Sequence, residues 1–144
     1  MTRQLFALLD KVYDRAPLGA SLRYVHLSAP PQWALETAST LVASWTAAEQ
    51  QKYRAQLAGL AGHLAVLHSR WVVAAALALM LGFTVVIAAM TGGQLNEAND
   101  GVLTAVLTAI LLPPFTICHG IARDYAAAQA LLTVCGVTLR AQPR

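Results

Sequence analysis

Over the first 70 residues apolar positions recur at helical spacing among polar ones, and from Trp71 to Cys118 charged positions are confined to one short turn between two apolar runs. Leu5, Leu8, Leu9 and Val12 fall at i, i+3, i+4 and i+7, which predicts an amphipathic helix over residues 2–15. A lone helix of about 14 residues is marginal in water, so its apolar stripe is expected to lie on a membrane surface or in a partner's groove. Pro17 and Gly19 end it, and residues 18–31 read as an extended connector. Pro30 and Pro31 then pre-set a helix start near Gln32, with Ser28 or Ala29 close to the cap position. Trp33, Leu35, Leu41, Val42 and Trp45 lead into a polar patch, residues 46–56, after which Leu57, Leu60, Leu64, Leu67 and Trp71 step by 3, 4, 3 and 4. That is the seam spacing of helices packed side by side. A single helix that starts outside a bilayer and continues through it is the economical expectation, with Gly59 and Gly62 as places to bend.

Trp71–Met90 is an apolar run of twenty residues with Thr84 as its one hydroxyl. A helix of that length covers the roughly 30 Å hydrocarbon core of a bilayer. Nine of its side chains (Val72, Val73, Leu77, Leu79, Leu81, Phe83, Val85, Val86, Ile87) together favour insertion by about 3 to 5 kcal/mol. Ala74, Ala78 and Gly82 stack as a small-xxx-small face that lets a second backbone approach, and Thr104 and Thr108 are its expected counterpart on the next helix. That second run, Val102–Cys118, carries Pro113 and Pro114, which remove two amide donors and are expected to kink or break the helix, with Thr116 or a neighbour satisfying the freed carbonyls near Ala109 and Ile110.

Between the runs, residues 91–101 (TGGQLNEANDG) supply Gly92 and Gly93 for a helix C-cap and Asn99 or Asp100 for an N-cap. So short a turn makes the two runs antiparallel neighbours. It contains no Lys or Arg, whereas all 10 basic residues lie in the segment up to Arg70 or in the tail from Arg123. The positive-inside rule therefore puts both termini on the cytoplasmic or matrix side of an inner membrane and Asn96 on the other. The tail is helical in pattern, but its clean stretch, residues 125–139, is only fifteen long, and extending it would draw Arg123 and Asp124 into the bilayer. It is expected to follow the prolines, leave the membrane and pack against the N-terminal helices or a partner.

Composition agrees with this picture: of 144 residues 57% are hydrophobic and 12% charged, well below the roughly 25% charged of soluble proteins. The net charge of +3 comes from scattered basic residues without interleaved aromatics, which argues against nucleic acid as a partner. Arg3, Lys11, Arg15 and Arg23 would suit a transit peptide, but Asp10 and Asp14 do not, and there is no secretory h-region, so the N-terminal segment is expected to belong to the working protein. Cys118 and Cys135 form no metal or redox spacing. His63 and His68, five apart, do not share a helix face as i, i+4 ligands do; His119 sits at the end of the second run, and His26 has no evident partner. No phosphate loop, nucleophile elbow or carboxylate pair is present, and the spans hold no charge that would mark an ion pathway.

The expected fold is all-α: an integral membrane protein with an amphipathic N-terminal region (1–70), a two-span helical hairpin (71–118) and a C-terminal helix and tail (119–144). The expected role is that of a non-catalytic accessory subunit, without cofactor or metal, in a larger inner-membrane complex of respiratory, photosynthetic or ATP-synthase type. Its motive is more apolar helical surface outside the spans than so small a chain is expected to bury. Lipid and other membrane subunits are the expected partners, with a homo-oligomer as a further option. Two alternatives are a holin-like pore packed through Ala74, Ala78 and Gly82, and a haem- or quinone-contacting anchor using His63, His68 or His119.

Overall fold

The computed structural model describes residues 2–14, 29–92 and 97–141. Among them there are four helices and no strand: α1 (Thr2–Tyr13), α2 (Gln32–Ala43), α3 (Ala47–Thr91) and α4 (Glu97–Ala141). Most of the expected connector, together with His26, Gly93 and Asn96, lies outside the described residues.

Local chemistry sets the helix ends. Pro31 is extended (φ −70°, ψ 157°) and offers its carbonyl to the amides of Ala34 (3.0 Å) and Leu35 (3.1 Å), so α2 starts without a side-chain cap. The helix that enters the first apolar run does not begin at Gln32, as the pattern suggested. The chain leaves α2 at Ser44, whose amide bonds back to Leu41, and restarts at a capping box: Glu49 accepts from both the amide and the hydroxyl of Thr46 (2.8 Å each), and the Glu49 amide donates to the Thr46 hydroxyl (3.3 Å). Gln50, buried at the same corner, donates through Nε2 to the carbonyls of Val42 (3.4 Å) and Trp45 (3.3 Å), the first of which also accepts the Trp45 amide (3.0 Å).

Pro113 and Pro114 do not break the second long helix; α4 runs helical through both, for 45 residues. Their missing amides still deprive the Ala109 and Ile110 carbonyls of their usual donors. The Thr116 hydroxyl does not replace them, since it donates to the Pro113 carbonyl (2.9 Å).

The chain forms two compact units, one built from residues 1–67 and 121–144, the other from residues 68–120. The first has a true core. Leu9, Val12, Ala34, Ala38, Val42, Leu57, Ala127, Ala128, Leu131 and Cys135 share one cluster, each at most 1% exposed. Here α1 finds the cover its stripe needs. Leu5, Leu9 and Val12 pack into this chain's own core instead of a membrane surface or a foreign groove. The alanine-rich part of α4 closes the same cluster, because small side chains let helix backbones approach closely while Leu57, Leu9 and Leu131 fill what remains.

Candidate functional site: the apolar hairpin

In the second unit each helix turns a narrow strip inward. On α3 the buried or half-buried positions are Trp71, Ala74, Ala75, Ala78, Gly82, Val85, Val86 and Ala89; on α4 they are Leu103, Leu107, Ile110, Leu111, Pro114 and Cys118. Of the expected packing residues, Ala74, Ala78 and Gly82 thus lie on the inner face of α3. Thr104 and Thr108 do not face them: both are exposed. A Cβ placed on Gly82 would meet Leu107 Cδ2 at 3.4 Å and Leu111 Cδ2 at 3.6 Å, so branched leucines of α4 occupy the hollow that the glycine leaves. Small residues on one helix are matched by large ones on the other, not by a second small stripe. A pore packed through Ala74, Ala78 and Gly82 of neighbouring copies would need a face that is used within this chain.

The outward faces are apolar throughout. Val73, Leu77, Met80, Leu81, Phe83, Met90 and Val102 are each more than half exposed. Three hydroxyls among them are turned back onto their own helix: Thr84 donates to the Met80 carbonyl (2.9 Å), Thr91 to that of Ile87 (3.0 Å) and Thr108 to that of Thr104 (2.8 Å). A side chain that bonds its own helix presents mainly carbon to its surroundings. Between the helices an open groove of about 530 Å³ is lined by Leu79, Thr104, Leu107, Thr108, Leu111, Leu112 and Phe115. Pro113 is exposed and Pro114 buried.

Of the expected seam, Leu57 and Leu64 are buried and Leu60 and Leu67 half-buried, with Leu57 and Leu60 belonging to the core shared with α1, α2 and α4. The apolar helical surface outside the spans, whose excess pointed to a larger complex, is therefore largely covered by the chain itself. Among the histidines, His63 is exposed whereas His68 is 5% exposed with no partner on Nε2.

One polar cluster escaped the sequence pattern altogether. The Tyr13 hydroxyl donates to the Arg123 carbonyl (2.7 Å), the Arg123 guanidinium lies 5.1 Å from the centre of the Tyr13 ring, and that ring meets Trp33 edge-on at 5.3 Å. Arg123 also pairs loosely with Asp10 and Asp124, each at 3.6 Å, a separation worth little at partly exposed side chains. Burial pushes the Asp124 carboxyl above its ordinary value of 3.8, opposed by Arg123 and reinforced by the Asp10 carboxylate. Burial likewise raises the Cys135 thiol, which keeps it protonated and unreactive. The cluster pins the end of α1 to α4. Tyr13 and Arg123 are 110 residues apart, so no local signal announces the pairing.

Both long helices are long and apolar enough to cross a membrane, and the most apolar 18 residues of each are only 11% buried. Set against known protein families, curated proteins and solved structures, the chain matches none of them.

Proposed function

We propose that this chain is a non-catalytic integral membrane protein of an inner membrane: a two-span hairpin that carries a self-contained helical domain on the side holding the basic residues, and that serves as a packing subunit beside other membrane proteins. One observation carries the reading. Of the 17 large hydrophobic side chains exposed among the described residues, 14 lie between Val72 and Ile117, on a stretch whose two apolar runs, Trp71–Met90 and Val102–Cys118, hold no charged residue. A soluble protein rarely leaves so large a contiguous apolar surface uncovered, whereas lipid covers it at no cost. Because the domain covers its own apolar faces, the outward faces of the hairpin are where a neighbouring subunit would pack.

An alkaline carbonate wash of membranes containing the full chain tests the insertion; the protein is expected in the pellet, and recovery in the wash overturns it. Topology is tested with Asn96→Cys in a Cys118→Ala, Cys135→Ala background. A membrane-impermeant maleimide added from the outer side is expected to label it, and labelling only after the inner side is opened reverses the orientation. Elution from mild detergent as a monomer with no companion polypeptide removes the subunit role.

A further inference from the structure

The geometry points to a binding site for the headgroup of an anionic phospholipid at the inner edge of the hairpin, centred on Arg70; this rests on the membrane reading above. Arg70 is exposed and stands immediately before Trp71, where the apolar run begins. The ion pairs among the described residues both belong to Arg123, so Arg70 has none. No acidic residue follows Glu49 on its own helix, and none occurs between Asp100 and Asp124 on the next. A guanidinium at the edge of lipid without an ion-pair partner of its own is open to an anionic counterion, and its planar fork matches phosphate oxygens two at a time.

The second helix brings a further polar side chain to the same level. Gly82 sits against Leu107 and Leu111, which fixes the register of the antiparallel pair near residue 109. Eleven residues along each helix from that point, about 16 Å at 1.5 Å per residue, lie Trp71 on α3 and Gly120 on α4, next to the half-buried His119. Ser69 and Arg70, both exposed, with Trp71 on the same helix and His119 on the next, thus lie near one depth, the depth at which lipid phosphates lie beside aromatic anchors. A basic side chain near a membrane surface attracts anionic lipid by about 1 kcal/mol, a preference of about five-fold.

The test uses the full chain in nanodiscs of phosphatidylcholine with a minority of phosphatidylglycerol, released into native mass spectrometry to count retained lipids. Retention of the anionic lipid over its share of the disc is expected to fall about five-fold in Arg70→Gln and to stay at the wild-type level in Arg54→Gln, an exposed arginine of the same helix that makes the same change in charge. An Arg70→Gln protein that keeps the wild-type enrichment overturns the site, as does an equal loss in Arg54→Gln, which would mark a diffuse charge effect. A wild-type chain that survives the carbonate wash yet retains both lipids in proportion to the disc rejects the headgroup site and leaves the membrane reading standing.

Discussion

The same two helices, α3 and α4, build both units, and they do so by opposite rules. Of the 19 hydrophobic side chains that the described residues bury, 17 belong to the unit made from residues 1–67 and 121–144, and only Ala75 and Cys118 to residues 68–120. In the first unit four helices cover one another, apolar side chains point inward, and Lys52, Arg54 and His63 point outward. In the second, two helices have only each other, and most of their leucines, valines and phenylalanines remain outside. Helicity is common to both, so what differs is how much of its apolar surface each unit covers. A water-facing unit needs a core to hold it together, whereas a lipid-facing pair needs only close-fitting backbones and satisfied hydrogen bonds.

Truncating a leucine on each side gives the sharpest contrast. Leu131→Ala, at a fully buried position, is expected to cost about 2–5 kcal/mol, while Leu81→Ala, more than half exposed, is expected to change the stability of the fold by less than about 0.5 kcal/mol. Denaturant titration in detergent micelles measures both, and equal losses would erase the distinction between the units. Next in size is Gly82→Ile. A branched side chain there meets Leu107 and Leu111 and is expected to cost about 1–3 kcal/mol by forcing the hairpin apart, whereas Gly120→Ala, with open space over its Cα, leaves the pair in place. Cross-linking between cysteines introduced on the two spans reports the separation.

Smaller again is the cap of α3. Thr46→Ala is expected to cost about 1 kcal/mol, read from the unfolding midpoint, with no change in membrane retention.

The smallest effects are in the pH dependence of the first unit, where two carboxyls work in opposite directions. The Thr46 amide and hydroxyl hold Glu49 below its ordinary 4.5, so its contribution is present above that value and is lost as pH falls through the lowered one. Asp124 is raised by burial, so the folded chain holds that proton more tightly than the unfolded chain, and the stability this provides is lost as pH rises from 3.8 through the raised value. Unfolding midpoints followed between about pH 3 and 7 are therefore expected to lose part of their acid-side fall in Glu49→Gln and part of their neutral-side fall in Asp124→Asn. Identical profiles for the two variants would show that neither carboxyl is placed as described.

Much of the fold is legible in periodicity, because a helix shows which of its faces needs cover. The all-helical architecture and the two long apolar helices follow from spacing and run length alone. Periodicity does not say what provides the cover. The stripe of α1 read equally well as a lipid-binding or a partner-binding face, and its actual cover includes Ala127, Ala128 and Leu131, more than a hundred residues away in sequence. Thr104 and Thr108 looked like the match for Ala74, Ala78 and Gly82 because like was paired with like, whereas packing pairs a hollow with a knob and so brings in Leu107 and Leu111. The break between α2 and α3 was written in the sequence as Thr46-x-x-Glu49, a capping signature overshadowed by the strong leucine spacing that follows it. Gln50 and Arg123 carried no such signal, since what each side chain touches depends on the assembled helices.

The discontinuity of the first unit sets a timetable for biosynthesis. By the time Leu67 leaves the ribosome, Leu5, Leu9 and Val12 are already made, but the alanines and Leu131 that complete their core lie beyond a further 53 residues, 68–120. At about 5–20 residues per second that interval lasts roughly 3 to 11 s. Throughout it the nascent N-terminal helices carry uncovered leucines, so the domain is sealed only after the two apolar runs have emerged.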